Sequence, residues 1–316
     1  MTTSTLRAGA LAAAVVVGAA GAATAQDIKV MASLPNLGFP FFVHMMNQIA
    51  AEGDALGVEI IQADGQGSTP KQTADVEAAI VQGVDGILIS PNEVDAMAPA
   101  IRQAIDAGIP VVTVDRRVDQ VDGILAHVGA DNVAGGEAQG QLIVEMFPEG
   151  ARIFNLQGQP GASPAIDRNQ GVHDVLDPLA EAYPFVFEQT AFFARDKGLS
   201  VTEAGLAGLA EPPHVIVAAN DDMALGAAEA VKAAGLEGDV AVLGFDALPE
   251  ALAAVRDGRL TATVEQFPGG QSKQALNVLV DHIKTGADPA EALVLLTPIT
   301  ITRDNFDQAE RLDELN

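Results

Sequence analysis

Short apolar runs alternate with amphipathic, alanine-rich stretches along most of the chain. Ile28–Ser33 has the length and branched side chains of a strand, whereas Phe41–Leu56 has helical spacing with His44, Gln48 and Glu52 on its polar side. Strands that alternate with helices in this way form parallel sheets, because each return to a parallel strand needs a crossover of helix length. The pattern predicts an α/β protein.

The alternation runs through two successive cycles. The first predicts strands at Ile28–Ser33, Val58–Gln62, Gly86–Ser90 and Pro110–Val114, and helices at Phe41–Leu56, Lys71–Gln82 and Val94–Ala107. The second predicts strands at Arg152–Gln157, Phe185–Ala191, Val215–Ala218 and Val240–Phe245, and helices at Val133–Phe147, Ala165–Leu176, Gly198–Ala210 and Met223–Ala234. Several strands are apolar almost throughout, as expected when helices cover both faces of a sheet. We predict two doubly wound units in tandem.

Three further elements follow the second cycle. They are a strand at Leu260–Glu265, a helix at Gly270–Lys284 and a strand at Leu293–Pro298. These elements can complete both sheets if the chain crosses back between the two units, which periodicity alone does not show.

The first 25 residues have the pattern of a cleavable signal peptide. A single arginine, Arg7, precedes the uncharged apolar run Ala8–Ala23, and Ala23 and Ala25 are small residues at the positions that a signal peptidase reads. A transmembrane anchor is the alternative, but the run is shorter than the roughly 20 residues that span a bilayer. No cysteine follows for lipid attachment, so we expect an exported, soluble protein that begins at Gln26.

Composition narrows the possible functions. The 316 residues include 17 Lys and Arg against 43 Asp and Glu, a net charge of −26. Such a chain repels nucleic acid and anionic membranes. It has no cysteine and only five scattered histidines, and no catalytic motif of a serine hydrolase, zinc protease or P-loop enzyme occurs. We therefore expect no metal and no cofactor.

Polar side chains follow the predicted strands at the edge where parallel sheets gather functional residues. Asp115 and Arg116 come directly after the apolar strand Val111–Val114. A carboxylate can accept from two neighbouring hydroxyls and a guanidinium presents parallel donors, so the pair suits adjacent hydroxyl groups of a sugar. A salt-bridged turn is the alternative interpretation.

Two groups of phenylalanines also follow strand ends. Phe39, Phe41 and Phe42 form one group, and Phe192 and Phe193 form the other. Their rings could pack against the C–H face of a ring-shaped ligand or belong to the ordinary core.

These residues stand in segments that resemble the periplasmic substrate-binding proteins of sugar ABC transporters, of the ribose-binding type. The segments are PFFV at 40–43, GVDGILISPN at 83–92, GIPVVTVDR at 108–116, ADNVAGG at 130–136, LQG at 156–158, AIDR at 165–168, ANDDMALGA at 219–227, VLGFD at 242–246 and ATVEQ at 262–266. Their order and spacing cover nearly the whole chain after the signal peptide. The segment around residues 161–168 also looks similar to galactofuranose-binding relatives.

The resemblance implies the type I periplasmic binding protein fold, in which two doubly wound parallel-sheet lobes are joined by a three-crossing hinge. The crossings would fall near Ala130, Gln266 and Leu296. The N-terminal lobe would comprise residues 26–130 and 267–296, and the C-terminal lobe residues 131–266 and 297–316. Ligand would bind between the lobes and close them.

The resemblance also implies which residues contact the ligand. They are Phe39, Phe41, Phe42, Ser90, Asp115, Arg116, Arg168, Phe193, Asn220, Asp246 and Gln266. Phe39 and Ser90 depart from the family pattern, because the ribose binders have asparagine at both positions. Loss of a hydrogen-bonding group at Phe39 predicts that ribose is not the preferred ligand.

The leading hypothesis is a periplasmic receptor that captures a neutral monosaccharide or polyol and delivers it to an ABC transporter permease. It would be a monomer that performs no chemistry, and a chemoreceptor is a further candidate partner. The alternative is an exported α/β sugar-processing enzyme of the glycosidase kind that uses Asp115 and Asp246. Against that enzyme, Arg116 and Arg168 are expected to hold nearby carboxylates ionised. A sugar-responsive repressor would need a DNA-binding segment where this chain has a signal peptide.

Overall fold

The computed structural model describes residues 1–2 and 28–315, so the predicted signal peptide lies almost entirely outside the described residues. The strands are β1 (Ile28–Leu34), β2 (Val58–Asp64), β3 (Gly86–Ile89), β4 (Val111–Val114), β5 (Ala126–Ala130), β6 (Ile153–Gln157), β7 (Phe185–Thr190), β8 (Val215–Ala218), β9 (Ala241–Leu243), β10 (Thr263–Glu265), β11 (Leu293–Leu296) and β12 (Ile299–Ile301). The helices are α1 (Pro40–Leu56), α2 (Thr69–Gln82), α3 (Ala98–Asp106), α4 (Asn132–Met146), α5 (Ser163–Leu176), α6 (Arg195–Gly208), α7 (Asp221–Ala233), α8 (Pro249–Asp257) and α9 (Pro268–Thr285).

The first lobe is built on a six-stranded sheet in the order β11-β5-β4-β3-β1-β2, and all of its pairings are parallel. Alternate side chains of its strands pack into two different cores. Val30 and Leu88 face α1 and α9, whereas Met31 and Ile87 face α2 and α3. Because both faces are buried, the strands need apolar residues at nearly every position, which confirms the interpretation of the unbroken apolar runs.

The second lobe contains a four-stranded parallel sheet in the order β7-β6-β8-β9. Phe154 and Ile216 on one face join the core that contains residues of α6 and α7, and Ile153 and Val215 on the other face pack with α4 and α5. The predicted α/β class with two doubly wound lobes is confirmed.

The chain passes between the lobes at three places. These are the links from β5 to α4, from β10 to α9 and from β11 to β12. The last elements therefore serve both lobes: α9 and β11 complete the first, while β10 and β12 pair antiparallel beside the second sheet.

Several predicted elements differ from the observed ones. Strands β5 and β12 and helix α8 were not predicted. The predicted helix Val94–Ala107 is wrong in its first turn, because α3 begins at Ala98 with a proline in its first turn, where the missing N–H costs nothing. Among the described helices, none is long and apolar enough to span a bilayer.

Candidate ligand-binding site

A cavity lies between the lobes, lined by residues of both. Its position follows from the parallel sheets, since loops after the carboxyl ends of strands in both lobes meet there. The lining residues are Phe39, Phe41, Phe42, Asp115, Arg116, Pro164, Arg168, Phe193, Asn220, Asp222, Asp246 and Gln266. The structure thus brings together ten of the eleven residues singled out from the sequence.

Aromatic rings from both lobes enclose the Arg116 guanidinium. Its central carbon lies 5.3 Å from the ring centroid of Phe42 in the first lobe and 5.8 Å from that of Phe193 in the second. Phe41 contacts Phe42 edge to face at 5.3 Å. Such contacts orient the cation and provide apolar walls beside polar groups.

The backbone is strained at three lining residues. Asp115, Phe193 and Asp246 have φ angles of 60°, 62° and 111°, in the region that favours glycine. Each such conformation costs on the order of 1–3 kcal/mol and persists where the surrounding fold enforces it. All three follow strand ends, so the strain turns their side chains out of the sheets at the cleft.

Ser90 is the predicted site residue that does not line the cavity. Its side chain is fully buried, and its hydroxyl donates to Oδ2 of Asp115 at 3.0 Å. Ser90 thus supports the Asp115 carboxylate, and its contact with ligand stays a prediction.

The second lobe holds its charged groups in a buried network. Arg168 donates to Asn132 Oδ1 at 2.8 Å, to the Ala219 carbonyl at 2.8 Å and to Asp246 Oδ1 at 3.2 Å. Gln266 Nε2 donates to the same Asp246 oxygen at 2.6 Å. These bonds fix the side-chain positions before any ligand arrives.

Asn220 lines the cavity and also begins α7. Its Oδ1 accepts from the Met223 amide at 3.0 Å, as a helix N-cap, and its Nδ2 donates to the Phe193 carbonyl at 3.2 Å. Asn220 therefore ties the aromatic wall to the polar end of the site.

Burial dominates the electrostatics of the site. It raises the pKa of Asp115 and raises that of Asp246 to about 7, although Arg116 and Arg168 respectively act in the opposite direction. It also lowers the pKa of Arg116 to about 10. At Asp246 burial outweighs Arg168, so the expectation that the arginine holds this carboxylate fully ionised is not met there and does not argue against a glycosidase.

Sequence reasoning missed Asp222 and Pro164 in the lining. Asp222 stands in the same Asn-Asp-Asp segment as Asn220, so its place after a strand end was the available signal. Phe192, by contrast, is 49% exposed and does not line the cavity.

The lobes also contact each other beside the cavity. Val94 N donates to the Gly161 carbonyl at 2.9 Å, and Arg117 N donates to Ser163 Oγ at 3.0 Å. The Arg117 guanidinium forms a bidentate ion pair with Asp167 across the same boundary. We call these contacts the corner contacts.

Comparison with known proteins agrees with this arrangement. Residues 16–288 match the family model described as a periplasmic binding protein domain. The chain belongs to the periplasmic binding protein family. Its relatives, which include ribose import and galactofuranose-binding proteins, make it a solute-binding protein of the sugar ABC transporter type.

Individual relatives of this binding protein have several different ligands in their names. The ribose import binding protein RbsB of Bacillus subtilis (strain 168) is 39% identical over 243 residues, 77% of each chain. The galactofuranose-binding protein YtfQ of Escherichia coli (strain K12) is 33% identical over 250 residues, 77% of this chain and 78% of that one. The Caulobacter myo-inositol binding protein, solved with myo-inositol bound, is 43% identical with a TM-score of 0.89, covering 92% of this chain and 98% of that one.

Proposed function

We propose that this protein captures a neutral cyclic polyol or monosaccharide, and that myo-inositol is the first compound to test. The observation that carries the proposal is the hydrogen bonding of the cavity carboxylates. Asp115 accepts from Ser90 through Oδ2 and Asp246 accepts from Arg168 and Gln266 through Oδ1. Among the described residues, none donates to the second oxygen of either carboxylate, so each keeps an acceptor for ligand.

Hydroxyl groups suit this set better than charged groups do. The guanidiniums of Arg116 and Arg168 can only donate, and an ionised carboxylate can only accept. A hydroxyl does both, so it also suits Asp246, whose pKa of about 7 allows it to accept or donate. A ligand with several neighbouring hydroxyls can therefore satisfy both kinds of partner at once. A net charge on the ligand would leave one sign of buried charge uncompensated.

Phe39 favours a ligand other than ribose. It lines the cavity as an apolar side chain where the ribose binders have asparagine, so a hydroxyl directed at it would lose its partner. Myo-inositol stands first because the Caulobacter protein, which was solved with that ligand bound, matches nearly the full length of both chains.

Binding without turnover is part of the proposal. It is supported by the family, whose named relatives are binding proteins. After incubation with the purified protein, the recovered ligand should be chemically unchanged. Altered ligand in excess of one equivalent per protein would contradict this.

The remaining parts of the proposal concern transport. The relatives' family supports export by the signal peptide at 1–25 to the periplasm, where a monomer would deliver ligand to an ABC permease. We propose that residues 26–130 with 267–296 and residues 131–266 with 297–316 move as two bodies about the three links. A chemoreceptor would bind the closed form that this movement produces.

The test is a thermal-shift screen over inositols, pentoses, hexoses and linear polyols, followed by calorimetric titration. A ligand at 100 times its dissociation constant should stabilise the protein by about 2.7 kcal/mol. Myo-inositol or another cyclic polyol should bind more tightly than ribose. Tightest binding by ribose would contradict the interpretation of Phe39, and no binding by any compound of the panel would contradict the proposed ligand class.

A further inference from the structure

Asp222 lies at the boundary between the cavity and a second recess. The recess, of about 1000 Å³, opens between the beginning of α1 and the beginning of α6. Asp222 and Phe39 line both spaces, so they form the wall at which the cavity meets its mouth. The Asp222 side chain is only 8% exposed in spite of this position.

Arg195 holds one oxygen of this carboxylate. Its Nε and one terminal nitrogen donate to Oδ1 of Asp222 at 3.0 and 2.9 Å. The other terminal nitrogen donates to Glu250 at 2.8 Å, which anchors the guanidinium from the far side. Asp222 is therefore held in one orientation by a side chain that does not line the cavity.

The second oxygen, Oδ2, accepts no hydrogen bond from any residue among 28–315. It is also absent from the fully enclosed polar atoms that lack a partner, so it keeps some accessible surface, and its residue lines the cavity as well as the recess. Burial raises the pKa of Asp222 because it removes water from the carboxylate, the Arg195 guanidinium lowers this pKa, and the nearby Glu250 carboxylate raises it. A hydroxyl donated to Oδ2 would supply the missing partner.

The same arrangement occurs at Asp115 and Asp246. Each of the three carboxylates is fixed by protein donors through one oxygen and keeps the other open. Asp115 and Asp246 follow β4 and β9, whereas Asp222 lies on the Phe39 side of the site. The third acceptor, Asp222, thus lies on the same side of the site as Phe39, the aromatic residue that stands where the ribose-type pattern has asparagine.

We propose that Asp222 is a specificity-determining residue that accepts a hydrogen bond from one ligand hydroxyl on the mouth-facing side of the ring, next to Phe39. This rests on the proposed function. Phe39 packs against the C–H face of the ring there, and Asp222 selects for the hydroxyl at its edge. Ligands that lack this hydroxyl, or replace it with an acidic group, are discriminated against.

The experiment combines Asp222→Asn with the set of monodeoxy-myo-inositols in calorimetric titrations. Asparagine keeps the shape and the contact with Arg195 but places a donor where Oδ2 accepts. Myo-inositol should bind Asp222→Asn about 10- to 100-fold more weakly than wild type. One deoxy isomer should show a similar loss with wild type and no further loss with the variant.

Asp196→Asn is the matched control. Asp196 lines the outer recess without lining the cavity, and the same change of charge there should leave affinity unaltered. Should Asp222→Asn not fold, Asp222→Ser takes its place, because it also removes the Oδ2 acceptor and can be titrated with the same deoxy isomers.

Two outcomes would overturn the role of Asp222. One is an equal loss in Asp222→Asn for every deoxy isomer, which would mean that Asp222 only joins α6 to α7 through Arg195. The other is unaltered affinity in Asp222→Asn. Wild-type protein that binds no inositol and no sugar contradicts the proposed function instead, so the two failures are distinguishable.

Discussion

Asp246 combines a strained backbone with a buried carboxyl group that has hydrogen-bond donors at one oxygen only. Its φ of 111° is strained, burial raises its pKa to about 7, and one of its oxygens accepts from both Arg168 and Gln266. A hydroxyl ligand relieves part of this conflict by donating to the second oxygen. The proposed binding role of Asp246 would therefore come at the expense of the stability of the protein without ligand.

Arg116→Ala and Asp246→Ala should each weaken ligand binding by roughly 2–4 kcal/mol, because each removes a charged partner inside a buried cleft. Both variants should stay folded, since neither side chain belongs to a lobe core. Isothermal calorimetry measures the loss, with the exposed Arg102→Ala as control. Unaltered affinity in both variants would place the ligand elsewhere.

The buried carboxylates predict an unusual dependence of stability on pH. Burial raises the pKa of Asp115, Asp222 and Asp246, so the folded protein binds more protons than the unfolded chain. Their stabilising contribution is present below about pH 4 and is lost as pH rises through the folded pKa, about 7 for Asp246.

Denaturant titrations from pH 4 to pH 8 measure this effect. Between pH 5 and pH 8 the free energy of unfolding of wild type should fall by a few kcal/mol relative to Asp246→Asn, which does not titrate there. A parallel pH dependence in the two proteins would show that Asp246 is ionised throughout.

At the residue scale, the sequence located the site but not the part that each residue plays. Asp115 and Arg116 follow an apolar strand, and a strand end in a parallel sheet is enough to place them at the cleft. Ser90 also follows a strand, yet it lies behind Asp115, and Asp222 lines the cavity without having been singled out. Whether a side chain lines the cavity depends on partners from other elements, which spacing does not encode.

At the element scale, the long periodic segments were predictable and the short ones were not. Helices such as α1 and α9 extend over enough residues for their spacing to be read, and their bounds agree within a few residues. Strand β5 has only five residues, including a polar His127 and Gly129, and it is a strand because β4 and β11 pair with it. Its hydrogen-bonding partners, one of them far along the chain, determine its state.

The contact between α4 and α5 gives an element-scale prediction. A Cβ added at Gly136 would lie 2.2 Å from the Arg168 carbonyl oxygen, so the two helices can approach only because this residue has no side chain. Gly136→Ala should destabilise the protein by about 1–3 kcal/mol or more, and it should weaken ligand binding by shifting Arg168.

Gly208→Ala is the matched control for that substitution. Gly208 ends α6, and a Cβ there meets nothing within 4 Å, so alanine should be neutral or stabilise by about 0.4–1 kcal/mol. Thermal unfolding and titration with ligand measure both properties. Equal stability of the two variants would show that α4 and α5 separate without cost.

At the scale of the whole molecule, the corner contacts connect the proposed ligand binding to the proposed closure of the lobes. Arg117 and Asp167 lie outside the cavity lining, so they stabilise contact between the lobes without touching ligand. Without ligand, the protein would populate an open form and a form in which the lobes touch. A ligand that contacts both lobes would shift this equilibrium toward the second form, and a change in the corner contacts would shift the same equilibrium.

Asp167→Asn should therefore weaken ligand binding by about 0.5–1.5 kcal/mol. The loss is small because the Arg117–Asp167 ion pair is partly exposed to solvent, which weakens the attraction between the two charges. It should also increase the radius of gyration of the unliganded protein in small-angle scattering. Asp119→Asn is the control, because Asp119 pairs with Arg117 from within the same lobe. The same loss in both variants, or no change of affinity and radius in Asp167→Asn, would contradict a role of the corner contacts in closure.

The links between the lobes also determine when the first lobe can form as the chain is made. Helix α9 covers Leu88 and Val112, and β11 adds the edge beside β5, yet both elements come from residues 268–296. A nascent chain lacks them until synthesis is almost finished, so the part of this face of the first sheet that α1 does not cover stays exposed until then. Contacts between residues so distant in sequence form slowly, and the first lobe remains incomplete during most of the chain's passage out of the ribosome.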